Sequence, residues 1–310
     1  MLRALLSDFR AWGRFPVVTT LDRRLADVSL PADQIVIIDP TTYPTPLIRL
    51  AKQCGTAIIV APESGGILER LSAAVEEAGV LLLGSRSEGV AVAADKWECH
   101  QRFARRGLPD PATVRTTWNR VYGDAAELGF PLVAKPIDGA GCEGVGLATS
   151  AAALDEVLAQ PALRQASSFL LQRYVRGIAA SVSLLIGGEK AVAISLNEQW
   201  LRTGVPFEYR GGVAAMLHDR SAQALDLALD AVTLVPGLQG YVGVDLVLND
   251  SGCSLIEINP RLTTSYVGIR RVIGANLAEA IWRACREAVL PESIVTKGQA
   301  PFGEEELGDV

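Results

Sequence analysis

Residues 243–248, Gly-Val-Asp-Leu-Val-Leu, and residues 254–261, Ser-Leu-Ile-Glu-Ile-Asn-Pro-Arg, flank the turn-forming sequence Asn-Asp-Ser-Gly at 249–252. This pattern predicts a β-hairpin. Because side chains alternate along a strand, Glu257 and Asn259 share one face, and Asp245 lies on the partner strand. Their oxygen atoms would repel one another without a cation, and hard oxygen ligands suit Mg²⁺. The alternative is the solvated face of an ordinary hairpin.

The length and composition of the chain argue against several classes of protein. The chain has 310 residues, enough for two or three domains. A net charge of -6 argues against a nucleic-acid partner, which needs a basic surface. Apolar runs are too short for a membrane span, and the first residues lack the pattern of a signal peptide, so we expect a cytoplasmic protein that does not bind membranes. Scattered cysteines, five in number, and two histidines predict neither a disulfide framework nor a zinc site.

The first 89 residues alternate short apolar runs with amphipathic segments. This alternation predicts a parallel sheet covered by helices on both faces. The loop Ala61-Pro62-Glu63-Ser64 follows one strand at its carboxyl end, where such sheets bind small ligands. Glu63 is therefore a candidate contact, although a solvated loop glutamate is the favoured interpretation. The predicted strands are 17–20, 34–39, 57–61 and 80–84, and the predicted helices are 2–12, 44–54 and 66–78.

A second domain is predicted to begin with a helix from Asp95 to Arg106, which Gly107 ends. Next, the apolar strand 130–136 contains Lys135 and leads into the glycine-rich stretch 138–146. Its glycines fit G-x-G-x-x-G, but a dinucleotide-binding fold also needs a helix directly after the loop, and a second strand follows instead. We therefore expect a flap that wraps a polyphosphate through backbone N–H groups and the lysine. A flexible hairpin without a ligand is the alternative.

The remaining segments are less specific. Residues 168–177 predict a strand whose backbone can meet an adenine edge, and strands follow at 180–186 and 190–196. Residues 197–218 are interpreted as an irregular polar loop that either lines a site or crosses over. Helices are predicted at 151–159, 222–235 and 276–289, and the acidic end 303–307 has the composition of a frayed tail.

Taken in order, residues 95–289 resemble the ATP-grasp superfamily of carboxylate-amine ligases. The Glu-Ile-Asn-Pro-Arg run with its upstream aspartate is the most specific part. Within the superfamily, four segments are similar to the tyramine-glutamate ligases of methanofuran biosynthesis. These segments are 93–96, 135–139, 209–212 and 259–266.

The resemblance implies a role for each matching residue. Asp245, Glu257 and Asn259 would hold Mg²⁺ or Mn²⁺, and Arg261 with Lys135 would act in catalysis. The residues implied to bind ATP are Lys96, Lys135, Gly139, Gly141, Cys142, Glu143, Gly144, Val145, Gln172, Arg173, Tyr174 and Val175. The implied reaction is phosphorylation of a carboxylate and attack by an amine, which needs aligned charges more than acid-base chemistry.

The implied fold is α/β. Residues 1–89 would form a Rossmann-like pre-ATP-grasp domain, and residues 90–310 an ATP-grasp fold whose α+β subdomains sandwich ATP. Residues 131–196 are expected to form the lid with the glycine flap, and residues 197–310 to carry the metal site. The related ligases start with an extra strand before the helix at Leu2, so the first domain is expected to lack one.

The expected substrates are small molecules: glutamate, with tyramine, tyrosine or a related amine. The sequence leaves open whether the protein forms a homodimer. Two features depart from the family pattern: Gly177 is followed by Ile178-Ala179-Ala180, where an acidic residue usually meets the ribose, and Arg173 stands where the adenine hinge commonly has glutamate. A nucleotide-binding protein without ligase turnover is therefore the alternative function.

Overall fold

The structure is a computed structural model that describes residues 1–39 and 41–303. Its helices are α1 (Leu2–Trp12), α2 (Thr45–Cys54), α3 (Ile67–Glu77), α4 (Ser87–Ala94), α5 (Lys96–Arg106), α6 (Val121–Leu128), α7 (Ala151–Leu158), α8 (Pro161–Arg164), α9 (Ser221–Thr233), α10 (Tyr266–Val272) and α11 (Leu277–Glu287). Its strands are β1 (Val18–Asp22), β2 (Gln34–Ile38), β3 (Thr56–Ala57), β4 (Leu81–Leu82), β5 (Thr113–Thr116), β6 (Leu132–Lys135), β7 (Gly146–Ala148), β8 (Phe169–Arg173), β9 (Ile178–Gly187), β10 (Lys190–Arg202), β11 (Glu208–Ala214), β12 (Gly240–Asn249), β13 (Gly252–Asn259) and β14 (Ala300–Gly303). Residues 304–307 of the predicted frayed tail lie outside the described residues.

The first domain contains the predicted alternation of helices and strands, but its strands pair differently. β1 pairs with β2 and β3 pairs with β4, both in parallel, and the two pairs form separate two-stranded sheets. The single sheet predicted for this region, covered on both faces, is therefore wrong. Ile37 of β2 is 42% exposed, so part of this face is open to solvent. Apolar runs identify strands locally, whereas their pairing depends on tertiary contacts that periodicity does not contain.

The second region begins at α5, whose start has a clear local cause. The side chain of Asp95 accepts hydrogen bonds from the backbone N–H groups of Trp97 and Glu98, both at 2.9 Å, and thus caps the helix. At the other end, Gly107 adopts a left-handed conformation with φ of 71°. The helix predicted for this segment is confirmed, and its first residue is Lys96.

The smaller sheet of this region has four antiparallel strands in the order β5-β8-β6-β7. Helices α6 and α7 cover it, and Leu132, Leu154 and Phe169 are completely buried in its core. β9 and β10 pair instead with strands of the larger sheet. We therefore propose 113–173 as the lid, in place of the range 131–196 expected from sequence.

The larger sheet has six antiparallel strands in the order β13-β12-β9-β10-β11-β14. Helices α5 and α9 pack on one face, and α1, α10 and α11 pack on the other. On the face covered by α1, α10 and α11, the side chains of β9 change from the apolar Leu185 to the polar Ser183 and Ser181. Ser181 pairs with Asp245, so the face becomes polar where it approaches the candidate metal ligands.

The segment 197–218 is not the irregular loop predicted from its polar residues and glycines. β10 continues to Arg202, and β11 begins at Glu208. Gly212 lies so close to β10 that a Cβ atom would be 1.9 Å from the carbonyl oxygen of Glu198. Glycine at this position therefore permits close contact between β10 and β11 and does not mark a loop.

No helix within 1–39 and 41–303 is both long and apolar enough to cross a membrane.

Candidate active site

The hairpin of β12 and β13 forms the floor of the candidate site. Its register places Asp245 directly opposite Glu257 and Gly243 opposite Asn259, so all four residues share one face. The turn is stabilised by Asn249, whose side-chain oxygen accepts hydrogen bonds from the N–H groups that follow it. The structure therefore brings together the three oxygen-bearing side chains that the sequence placed on one face.

The two carboxylates of this floor have different surroundings. Asp245 accepts hydrogen bonds from Gln199 Nε2 at 3.0 Å and Asn259 Nδ2 at 3.1 Å. Burial and the neighbouring charge of Glu257 raise the pKa of Asp245 to about 7. Burial acts to raise the pKa of Glu257 too, but the ammonium groups of Lys96 and Lys135 outweigh it and lower that pKa. Glu257 is thus the ionised member of the pair.

Two lysines approach the floor from other elements. Lys96 Nζ lies 3.2 Å from Glu257 Oε2 and donates a hydrogen bond to the carbonyl oxygen of Gly139 at 2.8 Å. Lys135 Nζ donates to Gln172 Oε1 at 2.9 Å. Burial lowers the pKa of Lys135 to about 8. Burial also acts to lower the pKa of Lys96, but the carboxylate of Glu257 outweighs it and raises that pKa.

The glycine-rich stretch joins antiparallel strands β6 and β7, as the flap interpretation requires. Gly139, Gly141, Cys142 and Gly144 all have positive φ angles, which produce the tight path of the loop. The residue after Val145 begins a strand, so the helix required by a dinucleotide-binding fold does not follow the loop. The glycine pattern therefore does not mark a dinucleotide-binding fold.

One glycine of the flap, Gly144, packs closely against neighbouring elements, and the ligand contact that the resemblance implies for it stays a prediction. A Cβ atom on Gly144 would lie 2.8 Å from the Cβ of Ala162 and 2.9 Å from Cγ of Pro136. Its φ angle of 70° also disfavours a side chain. Gly144 therefore fits the loop against α8 and the end of β6, and its neighbours Glu143 and Val145 line the cavity.

The predicted hinge begins within β8. The side chain of Gln172, which accepts the hydrogen bond from Lys135, also donates to Thr113 Oγ1 at 2.9 Å and is thereby linked to β5. The guanidinium of Arg173 donates to the carbonyl oxygen of Leu128 and is thereby held against α6. Its backbone can still contribute to the hinge, since main-chain groups need no particular side chain.

Arg261 follows the floor strand and contacts the first domain. Its Nε donates to Glu63 Oε2 at 2.6 Å, and its Nη1 donates to the carbonyl oxygen of Leu262 at 3.1 Å. Glu63 is only 4% exposed. The solvated-loop interpretation favoured for Glu63 is therefore wrong, because a distant part of the chain buries it.

These elements surround one cavity of about 780 Å³. The cavity is lined by the candidate residues Lys96, Lys135, Gly139, Gly141, Cys142, Glu143, Val145, Gln172, Arg173, Tyr174, Val175, Asp245, Glu257, Asn259 and Arg261. Sequence reasoning missed Gln199, Trp200 and Phe207, which also line it. The sequence did contain a signal for Gln199. Asn197 and Gln199 are two positions apart on one strand, so their side chains point to the same face, and two polar residues on one face indicate that this face is not purely apolar core.

With this geometry established, comparisons with known proteins identify the family. The model of the ATP-grasp domain matches residues 93–265, which include the four-stranded sheet and five of the six strands of the larger sheet. The chain belongs to the ATP-grasp family. The model of the pre ATP-grasp 3 domain matches residues 15–90, the region before the ATP-grasp part.

Individual relatives are consistent with this assignment. The chain is 31% identical over 218 residues to tyramine–L-glutamate ligase of Methanocaldococcus jannaschii, covering 69% of this chain and 58% of that protein. The chain thus spans about three fifths of the length of this curated relative. Biotin carboxylase of Campylobacter jejuni has a similar fold, with a TM-score of 0.81, 16% identity, and coverage of 96% of this chain and 71% of that one. An ATP-grasp superfamily protein of Archaeoglobus fulgidus gives a TM-score of 0.69 and 23% identity, covering 97% and 90% respectively.

The ATP-grasp cavity contains the groups that a metal and a polyphosphate would use. Asp245, Glu257 and Asn259 could hold a divalent cation, and the two lysines could meet phosphate oxygens. Metal clusters of three or more His, Cys, Asp or Glu side chains do not occur in the described parts of the chain. Two carboxylates and an amide instead suit Mg²⁺, which retains waters and shares substrate phosphates.

Proposed function

We propose that the chain is an ATP- and Mg²⁺-dependent carboxylate-amine ligase that forms an amide through an acyl phosphate. The observation that carries this proposal is the convergence of Asp245, Glu257, Lys96, Lys135 and Arg261 on one cavity. Anionic and cationic side chains around one cavity match a reaction that transfers a phosphoryl group. The cavity volume also lies within the usual range for small-molecule sites.

The donor set supports Mg²⁺ as the metal. Burial and the charge of Glu257 raise the pKa of Asp245 to about 7, so a divalent cation beside this carboxylate would favour its charged form. Asn259 donates to Asp245 through its amide nitrogen, and its carbonyl oxygen is the atom that a cation would take. When bound, Mg²⁺ would neutralise phosphate charge.

The protein side chains would align the substrates. In this proposal, Lys96 and Lys135 bind ATP phosphates while the flap covers them, and the backbone at 173–175 meets the adenine. Arg261 steadies the γ-phosphoryl group as a substrate carboxylate oxygen attacks phosphorus and ADP leaves. The amine then attacks the acyl carbon and phosphate leaves, giving an amide. Alignment and charge stabilisation account for most of the rate enhancement in such transfers.

The substrates are proposed as glutamate with tyramine, tyrosine or a related amine. The tyramine–L-glutamate ligase of Methanocaldococcus jannaschii supports this choice through its 31% identity. The wall of the cavity contributed by Trp200, Phe207 and Tyr209 supports an aromatic amine, because aromatic rings pack favourably against one another.

A screen of ADP release tests the proposal. Purified protein with Mg²⁺ and ATP is assayed with carboxylates crossed against amines, beginning with glutamate plus tyramine or tyrosine. We expect ADP release that needs both substrates and an amide product of matching mass. Release that is independent of the amine, or none across a broad panel, would contradict the ligase proposal.

A nucleotide-binding protein without turnover is the second candidate. It is favoured by the apolar residues Ile178 and Ala179, which line the cavity directly after Gly177, where the family commonly has an acidic residue for the ribose. Calorimetric titration with ATP and Mg²⁺ separates the two functions. Tight binding without ADP release under every substrate pair would favour this second function.

A further inference from the structure

An ion pair joins the first domain to the candidate site. Glu63 lies between β3 and α3, and its Oε2 accepts a hydrogen bond from Arg261 Nε at 2.6 Å. The side chain of Glu63 is 5% exposed, and that of Arg261 is 18% exposed. Exposed ion pairs contribute little to the free energy of unfolding. Removing one partner of a buried pair, in contrast, is costly because it leaves an uncompensated buried charge. This contact therefore constrains the arginine strongly.

The ion pair helps to fix the orientation of the Arg261 guanidinium. Its Nε is bound to Glu63 and its Nη1 to the carbonyl oxygen of Leu262, so the orientation of the planar guanidinium is set from two sides. Arg261 lines the cavity, whereas Glu63 approaches the guanidinium from the first domain. The hydrogen bond that joins Glu63 to the lining of the cavity is thus the one from Arg261.

The same loop also contacts the base of the flap. The backbone N–H of Gly65 donates to Asp138 Oδ2 at 3.0 Å, and Arg70 on α3 donates to the carbonyl oxygen of Gly65 at 2.7 Å. Asp138 begins the glycine-rich stretch and lines the cavity. Loop 62–66 therefore holds two parts of the site that are far apart in the chain: the start of the flap and the guanidinium.

The charge of Glu63 also affects one phosphate-binding candidate. The pKa of Lys96 is raised chiefly by Glu257, against the effect of burial, and the carboxylate of Glu63 adds a smaller contribution in the same direction. A single carboxylate of the first domain thus acts on two of the cations of the cavity.

We infer that Glu63 is a positioning residue that orients Arg261 for transfer of the phosphoryl group. This inference rests on the proposed ligase function. It assigns to the first domain an indirect part in catalysis, because without Glu63 the guanidinium would keep its hydrogen bond to Leu262 but lose the contact that sets its orientation from the other side. A misalignment of a catalytic group by about 1 Å can reduce a rate by about 100-fold.

The kinetic test compares Glu63→Gln, Glu63→Asp and Arg261→Lys with the double variant Glu63→Gln/Arg261→Lys. Glu63→Gln is expected to reduce kcat for ADP release at least tenfold, with KM for Mg·ATP within twofold of the wild type. Glu63→Asp keeps the charge and should recover part of the loss. In the Arg261→Lys background, Glu63→Gln should cause little further loss, because both changes disrupt the same contact.

Glu287→Gln is the matched control, since it removes an exposed arginine–glutamate pair with Arg283 on α11. It should leave kcat unchanged. A kcat of Glu63→Gln equal to or above that of the wild type, or full additivity with Arg261→Lys, would overturn the inference. Thermal unfolding of every variant shows whether a loss of kcat reflects a loss of folded protein.

A readout independent of turnover is the ¹⁵N–¹H spectrum of the arginine Nε groups. The signal that disappears in Arg261→Lys is expected to shift in Glu63→Gln and to stay in place in Glu287→Gln. An unchanged signal in Glu63→Gln would overturn the inference even in an active ligase. If the wild type releases no ADP with any substrate pair, the proposed function fails and with it the kinetic role of Glu63, whatever the spectrum shows.

Discussion

Asp245 and Glu257 lie opposite each other on β12 and β13, and their pKa values shift in opposite directions. The difference arises from their partners. Glu257 is 3.2 Å from the ammonium of Lys96, whereas Asp245 is bound by two neutral amides. Neutral donors compensate for burial less than a cation does. One carboxylate is therefore charged without metal, and the other gains most from a cation.

Glu257→Gln should reduce ligase turnover by at least about 100-fold, the effect of removing one preorganised charged contact. The amide keeps the shape of the side chain but loses the charge that pairs with Lys96 and would bind Mg²⁺. The KM for Mg²⁺ should rise as well. Steady-state ADP release at several Mg²⁺ concentrations measures both effects, and full activity of Glu257→Gln would show that the metal assignment is wrong.

The stability of the metal-free protein should depend on the titration of Asp245 between about pH 4 and pH 7. Because its folded pKa of about 7 exceeds the ordinary aspartate value of 3.8, its contribution to stability is full below pH 3.8 and is lost as the pH rises through 7. Such a shift corresponds to at most about 4 kcal/mol. Unfolding with chelator present should therefore show Asp245→Asn gaining stability relative to the wild type as pH rises. A difference that is constant with pH would contradict the raised pKa.

Lys135→Met should weaken binding of Mg·ATP by roughly 10- to 100-fold, because it removes a charge-assisted hydrogen bond to phosphate. Burial lowers the pKa of Lys135 to about 8, so a neutral side chain avoids the cost of a buried charge and the fold should persist. Calorimetric titration measures the affinity. Lys190→Met, at an exposed position of β10, is the control and should bind as the wild type does. Equal affinity for both variants would contradict the phosphate role of Lys135.

The sequence was sufficient where a local pattern carried the information. The hairpin at 243–259 and helix α5 follow from alternation, turn residues and caps. Contacts between distant segments could not be predicted: Glu63 and Arg261 are separated by 198 positions. Gly212 misled the interpretation because glycine marks both loops and close strand contacts, and only the neighbouring carbonyl oxygen distinguishes them.

Two glycines of the flap offer a comparison between conformational strain and packing. Gly141 and Gly144 have φ angles of 67° and 70°, so alanine at either position costs roughly 1 kcal/mol in the left-handed region. At Gly141 no atom of the described structure lies within 4 Å of the added Cβ, whereas at Gly144 the Cβ would be 2.8 Å from Ala162. Gly144→Ala should therefore destabilise the protein by about 1–3 kcal/mol more than Gly141→Ala. Urea unfolding of the two variants measures this difference, and equal losses would show that the loop relaxes freely.

Arg270→Gln should test how the loop that carries Arg261 is anchored. Helix α10 follows this loop, and Arg270 donates from Nε to both carboxylate oxygens of Asp8 on α1 at 3.0 Å. Tyr266 OH also donates to Asp8 at 2.7 Å. The change leaves the carboxylate of Asp8, which is 8% exposed, without its cation and should lower the free energy of unfolding by about 3 kcal/mol.

Arg283→Gln, which removes an exposed pair with Glu287, is the control for Arg270→Gln and should cost less than about 1 kcal/mol. Chemical unfolding of both variants at pH 7 measures the two losses. If the losses are similar, the pair of Asp8 and Arg270 behaves as a surface pair and α1 does not anchor α10. A larger loss for Arg270→Gln, together with a lower kcat for ADP release at temperatures where the variant is folded, would connect the anchor to the placement of Arg261.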